Sequence, residues 1–125
     1  MSKDGQSSKP KVLVVDDERV IADTLAIILN QSGFAASAVY TGTGAVEHAR
    51  EHRPDLIISD VIMPDMNGIE AAIRIRQILP GCKILLFSGQ AATADLLEKA
   101  RAEGHEFEIL AKPVHPQDLL AKLRS

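Results

Sequence analysis

Four polar positions in this 125-residue chain each follow an apolar, strand-like run. The acidic pair Asp16-Asp17 follows V-L-V-V, Asp60 follows L-I-I-S, Ser88 follows I-L-L-F, and Lys112 follows I-L-A. These runs have the length and composition of buried parallel strands. In an open α/β sheet, ligands bind in the crevice beyond the carboxyl ends of the strands. The pattern therefore predicts one site that combines carboxylates, a hydroxyl and an ammonium group.

The carboxylates at this edge indicate a metal ion. Like charges that share a site repel each other, and a bound cation offsets that repulsion. Magnesium is the expected ion, because it is held by a few carboxylates together with water and phosphate. Read alone, Asp16-Asp17 is more typical of residues that cap the following helix. Asp60 is more informative, because it interrupts an apolar stretch and its burial requires a partner or a function.

The combination of groups matches phosphoryl transfer to a carboxylate. Such a reaction needs a nucleophilic carboxylate, with a metal ion and cationic groups to take up charge on the phosphoryl oxygens. Asp60 is the predicted nucleophile, and Asp16 and Asp17 are the predicted metal ligands. Ser88 would donate a hydrogen bond and Lys112 would supply positive charge. Taken singly, the serine is typical of a helix N-cap and the lysine of a solvated side chain.

Five strand-like runs alternate with five helical patterns along the chain. The predicted strands are 12–15, 34–40, 55–59, 83–87 and 107–111, and the predicted helices begin near residues 20, 45, 69, 91 and 115. This alternation predicts crossover units and an α/β fold with a parallel sheet. Residues 1–10 are polar and without periodicity, which predicts a disordered leader before a single domain over residues 11–125.

Composition excludes several other classes of protein. The chain is 46% hydrophobic and 25% charged, which is typical of a soluble globular domain. Its net charge of −3, single tyrosine and lack of tryptophan argue against nucleic-acid binding by this domain. No apolar run is long enough for a membrane span and no signal peptide is visible, which predicts a cytoplasmic protein. Cys82 heads an apolar run and is predicted to be a buried thiol.

Four segments resemble the receiver domains of two-component response regulators: V-L-V-V-D-D-E, L-I-I-S-D-V-I-M-P-D-M-N-G, I-L-L-F-S-G and I-L-A-K-P. The resemblance covers residues 11–124. It implies a doubly wound, flavodoxin-like (βα)5 fold with strand order 2-1-3-4-5. It also implies that a sensor histidine kinase or a histidine phosphotransfer protein phosphorylates Asp60, with slow hydrolysis afterwards. Ser88 and Lys112 would contact the phosphoryl group.

The same resemblance implies a ligand set for Mg²⁺ and a class of partner. Asp17 and Asp60 would bind the ion directly, Asp16 would bind it through water, and the backbone carbonyl of Ile62 would complete the protein ligands. The domain would signal through protein contacts with a downstream target or an output domain. A homodimer through the face formed by helix 4, strand 5 and helix 5 is compatible with this role. The sequence leaves open whether an output domain belongs to the protein.

One region departs from the family's pattern. Receivers commonly place a tyrosine or phenylalanine three residues before the lysine, where the ring swings inward on activation. Ile109 occupies that place in this chain, and Phe107 lies two residues earlier. The aromatic rotamer mechanism is therefore not expected to operate in the usual way. The bond between Lys112 and Pro113 is predicted to be cis, because only X-Pro bonds adopt that form at low cost.

Three alternative functions have distinguishable signatures. A phosphatase or mutase with an aspartate nucleophile usually has a second acid two residues later, where this chain has Ile62. A flavodoxin-like cofactor binder needs a phosphate loop after strand one, where Asp16, Asp17 and Glu18 would repel a phosphate. A degenerate receiver that only binds partners is disfavoured by the complete set of signature positions.

The apolar side chain of Ile62 predicts a long-lived phosphoryl group on Asp60, because it hinders the approach of water to that group.

Overall fold

Strands and helices alternate along the described part of the chain. The computed structural model describes residues 9–89, 92–112 and 115–124. Within these ranges the strands are β1 (Lys11–Val15), β2 (Ala35–Val39), β3 (Leu56–Asp60), β4 (Lys83–Ser88) and β5 (Glu108–Ala111). The helices are α1 (Arg19–Gln31), α2 (Gly42–His52), α3 (Gly68–Ile78), α4 (Ala92–Ala102) and α5 (Pro116–Arg124). Neighbouring strands pair in parallel in the order β2-β1-β3-β4-β5, which confirms the predicted fold and strand order.

Hydrophobic layers cover both faces of the sheet, because successive residues of a strand point to opposite faces. In β1, Val12 and Val14 belong to a core cluster with residues of α1 and α5. Leu13 and Val15 belong to a second cluster with residues of α2, α3 and α4. Each fully buried aliphatic side chain contributes about 1.5–3 kcal/mol, so the sheet is a firm support for groups at its edge. No helix within the described residues is both long and apolar enough to span a bilayer.

Several element boundaries differ from the predicted ones by one or more residues. Two of these differences are described by their hydrogen bonds and strand pairing. α2 begins at Gly42, before the predicted start near residue 45, because the Thr41 side chain accepts a hydrogen bond from the Gly44 N–H (2.9 Å). The helix is thus capped from within the segment predicted as a turn. β3 runs through Asp60, whose pairing partner in β4 is Phe87. The ladder continues one residue further than the apolar run alone indicates.

Two predictions concern residues outside the described ranges. The leader over residues 1–10 is described only at its end, where the Pro10 carbonyl accepts a hydrogen bond from the Ala35 N–H (2.9 Å). This bond ties the entry into β1 to the start of β2. The predicted cis bond after Lys112 involves Pro113, which lies outside the described residues. Both stay predictions.

Cys82 lies immediately before β4 and is 8% exposed. Burial, followed by the nearby negative charge of Asp55, raises the pKa of its thiol to about 11. A thiol with such a pKa stays protonated and unreactive at neutral pH. The predicted buried thiol is confirmed.

Candidate functional site

The parallel register brings the ends of four strands to one edge of the sheet. β1 ends beside β3, with Val15 paired to Ser59. β4 ends beside β5, with Ser88 paired to Ala111. The polar residues that end or follow these strands therefore lie along one edge, as the sequence predicts.

Three carboxylates form a cluster at this edge. Asp16, Asp17 and Asp60 each offer one oxygen atom, and these atoms lie within 4.8 Å of one another. Asp16 is 1% exposed and Asp60 is 8% exposed, whereas Asp17 is exposed to solvent. Negative charges this close are unfavourable unless a cation or a proton offsets them.

Asp16 has one oxygen engaged and one without a partner. Its Oδ1 accepts a hydrogen bond from the Glu18 N–H (3.0 Å), but Glu18 is itself the N-cap of α1 and no side chain in the described part of the chain caps that helix end, so the capping role is not seen. Its Oδ2 is buried and has no hydrogen-bond partner among the described residues. Burial, together with the charges of Asp60 and Asp17, raises the pKa of Asp16 against the opposing effects of the Glu18 N–H and Lys112. A buried carboxylate oxygen without a partner fits a metal ligand, because such atoms are otherwise rare in folded proteins.

Asp60 contacts a lysine that directly follows the edge strand β5. The Lys112 Nζ lies 2.7 Å from the Asp60 Oδ2, and the side chains are 33% and 11% exposed. Burial acts to lower the pKa of Lys112, but the hydrogen bond and charge of Asp60 outweigh it and the pKa is raised. The lysine is therefore an ammonium group at neutral pH. The other oxygen, Oδ1, accepts a long hydrogen bond from the Ile62 N–H (3.3 Å).

Two glycines allow the backbone to approach Asp60 and Lys112. A Cβ atom on Gly68 would lie 2.0 Å from the Asp60 carbonyl oxygen, and one on Gly89 would lie 2.9 Å from the Lys112 Cβ. Gly68 also donates its N–H to the Val61 carbonyl at 2.7 Å. The sequence interpretation treats Asn67-Gly68 as a turn and misses this packing role. Only the turn-forming dipeptide itself hints at a close backbone approach.

The loop between β3 and α3 is anchored by Asp65, which the sequence interpretation does not single out. Its carboxylate accepts hydrogen bonds from the Gly42 N–H (3.0 Å), the Thr43 N–H (3.0 Å) and the Thr43 hydroxyl (2.8 Å). These bonds, first those from Thr43, lower the pKa of Asp65 to about 2. The loop that carries Ile62 is thus fixed to the N-terminus of α2, where a negative charge is also favourable.

Ser88 and Ile62 both lie at the carboxyl edge of the sheet. Ser88 is the last residue of β4 and is partly buried, and its carbonyl accepts a hydrogen bond from the Lys112 N–H (3.1 Å). Ile62 follows β3 and is 45% exposed. A backbone hydrogen bond therefore joins Lys112 to the end of β4, which carries the Ser88 hydroxyl.

The structure separates the two candidates for the switch position. Ile109 lies in β5 opposite Leu86 and is 37% exposed. Phe107 precedes β5, and the guanidinium of Arg76 lies 4.3 Å from its ring centroid. Phe107 lies directly before the first residue of β5, at the amino end of that strand, whereas Ser88 lies at the carboxyl end of β4. The aromatic ring is therefore not placed to respond to that hydroxyl.

Comparison with known proteins agrees with this geometry. The family model for the response regulator receiver domain matches residues 12–124. The chain belongs to this family. It is 32% identical over 114 residues to the probable transcriptional regulatory protein TcrX of Mycobacterium tuberculosis, covering 91% of the chain and 48% of the relative. The DNA-binding response regulator MtrA of Mycobacterium leprae is also 32% identical, over 94% of the chain and 51% of the relative. The chain thus spans about half the length of the curated relatives it matches.

Solved structures show the same fold. A CheY-like receiver domain protein from Methanospirillum hungatei superposes with a TM-score of 0.84 at 26% identity, covering 94% of this chain and 92% of the other. The chemotaxis response regulator CheY4 of Vibrio cholerae superposes with a TM-score of 0.79 at 31% identity, covering 94% and 98%. Phosphorylation on an aspartate is the general function of receiver domains, which bind Mg²⁺ in an acidic pocket and interact with kinases and output domains. The predicted family and general function are confirmed.

Proposed function

We propose that Asp60 accepts a phosphoryl group from a sensor histidine kinase or a histidine phosphotransfer protein in a Mg²⁺-dependent reaction. The contact between Lys112 and Asp60, beside the cluster that Asp60 forms with Asp16 and Asp17, is the observation that carries this proposal. In this arrangement the buried Asp60 carboxylate has the positive charge of Lys112 on one side and the oxygen atoms of Asp16 and Asp17 on the other. That is the arrangement needed for attack on a phosphoryl group.

The proposed transfer forms one bond and breaks one bond. A carboxylate oxygen of Asp60 attacks phosphorus, the P–N bond of the phosphohistidine breaks, and the imidazole leaves with the bonding electrons. Oδ1 is the candidate nucleophile, because Oδ2 is bound to Lys112, whereas the bond that Oδ1 accepts from the Ile62 N–H is long. The product is an acyl phosphate on Asp60. Lys112 and the Ser88 hydroxyl then contact the phosphoryl oxygens.

The acidic residues are suited to hold Mg²⁺ during this reaction. Asp17 and Asp60 are proposed as direct ligands, with Asp16 binding through water and the Ile62 carbonyl as a further ligand. The unpartnered Oδ2 of Asp16 supports this assignment. When bound, the ion offsets the charges of the carboxylates and of the transferred group.

The proposed role is signalling rather than turnover of a separate substrate. The domain would catalyse only its own phosphorylation and dephosphorylation, and it would act in the cytoplasm, where ATP-dependent histidine kinases make the phosphoryl donor. We propose that residues 11–125 form this domain and that 1–10 form a leader. Output would use the face of α4, β5 and α5, toward a downstream protein, an output domain or a second copy. This domain would not itself contact nucleic acid or membrane.

Mass spectrometry after incubation with acetyl phosphate and Mg²⁺ tests the proposal. The expected result is a mass gain of one phosphoryl group that disappears in Asp60→Asn. Asp95→Asn is a matched control, because Asp95 is an exposed aspartate on α4, and it should gain the same mass as the unchanged protein. Absence of a mass gain in the folded protein, or a gain that persists in Asp60→Asn, would contradict the assignment. Chelation of Mg²⁺ should stop the reaction.

The lifetime of the phosphoryl group is a separate property. Ile62 is proposed to slow hydrolysis, because its apolar side chain stands beside the acceptor and keeps an attacking water from being positioned. Phosphorylated protein, freed of the donor, should lose its label over minutes or longer, and Ile62→Asn should lose it severalfold faster. A half-life of seconds in the unchanged protein contradicts this expectation without affecting the assignment of Asp60.

A further inference from the structure

A pair of histidines lines a cavity that the phosphoryl chemistry does not use. His48 and His52 lie one turn apart on α2, so their side chains share one face of the helix. Their ring centroids are 4.4 Å apart, and the ring planes are tilted by 36°. Both line a cavity of about 400 Å³, together with Asn30 of α1, Ser37 of β2 and residues of β1. The pair is thus already assembled beside an open space.

The cavity lies at the opposite edge of the sheet from the acidic cluster. Its other lining residues include Lys11 and Ala35, which are the first residues of β1 and β2. Asp16 and Asp60 lie at the carboxyl ends of their strands. A ligand in the cavity would therefore be independent of the phosphoryl site.

The sequence of the helix provides a spacing with known metal chemistry. Residues 48–52 read H-A-R-E-H. Two histidines four residues apart on a helix can coordinate one zinc ion through both imidazoles, as in helical metallopeptidase motifs. Hydrolytic sites of that type need a third protein ligand. Within the described residues, no third His, Cys, Asp or Glu joins this pair at ligand distance.

The surroundings of His48 favour the form of imidazole that coordinates metal ions. Burial, followed by the charge of His52 and then that of Lys11, lowers the pKa of His48, whereas Glu51 acts in the opposite direction. A neutral imidazole is the form that binds metal ions. The Lys11 Nζ donates a hydrogen bond to the His52 carbonyl oxygen (2.8 Å). This ammonium group is therefore bound to the backbone at the C-terminus of α2.

We propose that His48 and His52 together bind one Zn²⁺ ion, with water completing its coordination. Imidazole ligands suit Zn²⁺, Ni²⁺ and Cu²⁺ and do not suit Mg²⁺ or Ca²⁺, so the site discriminates against the ion of the acidic cluster. Two protein ligands make it a binding site rather than a hydrolytic centre. The bound ion would clamp the last turn of α2.

Titration of the full chain with Zn²⁺, in excess Mg²⁺ to occupy the carboxylates, tests the proposal. Calorimetry should show one ion per chain, and NMR should show shifts at the imidazoles of His48 and His52. His48→Gln and His52→Gln should each weaken binding by about tenfold or more, because a ligand is lost. His105→Gln and His115→Gln are the matched controls and should bind as the unchanged protein does.

Several results would overturn the proposal. These are the absence of one-to-one binding, binding that persists when both histidines are replaced, and imidazole shifts at His105 or His115 instead. The NMR titration of the unchanged protein needs no variant, so a poorly folded His48→Gln would not prevent the decision. His52 is exposed, which makes His52→Gln the safer variant for folding. Failure here would leave the acetyl phosphate experiment at Asp60 unaffected.

Discussion

Asp60 at the end of β3 and Ile109 in β5 belong to the same sheet but have opposite surroundings. Asp60 is buried, bonded to Lys112 and approached by the backbone at Gly68. Ile109 is an apolar side chain that is 37% exposed on the edge strand. The comparison shows that the groups suited to chemistry are held from several sides, whereas the position expected to relay the signal presents an aliphatic surface.

This difference has a physical basis. Phosphoryl transfer depends on the placement of charges to a fraction of an ångström, and such placement requires packing and hydrogen bonds around each group. A protein contact depends instead on the shape and polarity of an exposed face. An isoleucine provides apolar contact area but no hydroxyl and no ring to change rotamer. Output from this domain is therefore expected to depend on the α4-β5-α5 face without an aromatic switch.

The largest expected effect is on the chemical side of the comparison. Lys112→Met should lower the rate of phosphorylation by acetyl phosphate by about a hundredfold, because the charge beside the attacked group is lost. Lys99→Met is the matched control, since Lys99 is exposed on α4. The measurement is the initial rate of mass gain. A wild-type rate for Lys112→Met would show that the lysine contact has no part in the chemistry.

The next effect tests how tightly the surroundings of Asp60 are packed. Gly68→Ala should lower the free energy of unfolding by about 2–3 kcal/mol, because its Cβ would overlap the Asp60 carbonyl oxygen. Gly81→Ala is the control, since nothing lies within 4 Å of a Cβ atom there. Urea unfolding of both variants gives the comparison. Equal stability of the two variants would mean that the β3–α3 loop moves away at little cost.

A smaller effect concerns pH and the anchor of the same loop. The pKa of Asp65 is about 2 in the folded protein, below the value of about 3.9 for an unfolded chain. As the pH falls, the unfolded chain takes up the proton first, so this contribution is full above about pH 4 and is lost toward pH 2. The difference in unfolding free energy between the unchanged protein and Asp65→Asn should shrink across that window.

A matched variant identifies the source of the Asp65 effect. Thr43→Val removes the hydroxyl donor and leaves the two backbone donors. The free energy of unfolding of Thr43→Val should keep part of the pH dependence that Asp65→Asn loses across the same window. A constant difference between the unchanged protein and Asp65→Asn over the whole window would mean that the carboxylate is not stabilised by these bonds.

The smallest expected effect is on the output side. Ile109→Tyr should leave the rate of phosphorylation within about twofold and the stability within about 0.5 kcal/mol, because the position is partly exposed. Rate and urea measurements on one preparation check both values. A large change in the phosphorylation rate would show that β5 is coupled to the acceptor site and that the two regions do not act separately.

Some features of the fold follow from local sequence. The apolar runs at 12–15 and 83–87 predict buried strands because both faces of each strand are covered. Their alternation with helical patterns leaves few topologies open, and the parallel sheet is among them. Boundaries are less certain, since the start of α2 depends on the hydrogen bond from the Gly44 N–H to the Thr41 hydroxyl, a feature that periodicity does not contain.

The candidate site, like the fold, has some features that the local sequence predicts and others that it does not. Residue types and their positions after strands predict that Asp16, Asp60 and Lys112 lie together, because parallel strands end at one edge. The roles of Gly68 and Asp65 were not predictable, since they depend on which distant backbone atoms each residue meets. Those contacts exist only after α2, α3 and the β3–α3 loop have packed.

By itself the sequence determined the fold class, the strand order implied by the family resemblance, and the set of groups at the carboxyl edge. Strand composition and order carry that information. Only the tertiary structure decided that one oxygen of Asp16 has no hydrogen-bond partner within the described ranges, that Lys112 bonds to Asp60, and that Phe107 lies away from Ser88. These facts depend on distances between side chains far apart in the chain, which packing sets and local sequence does not.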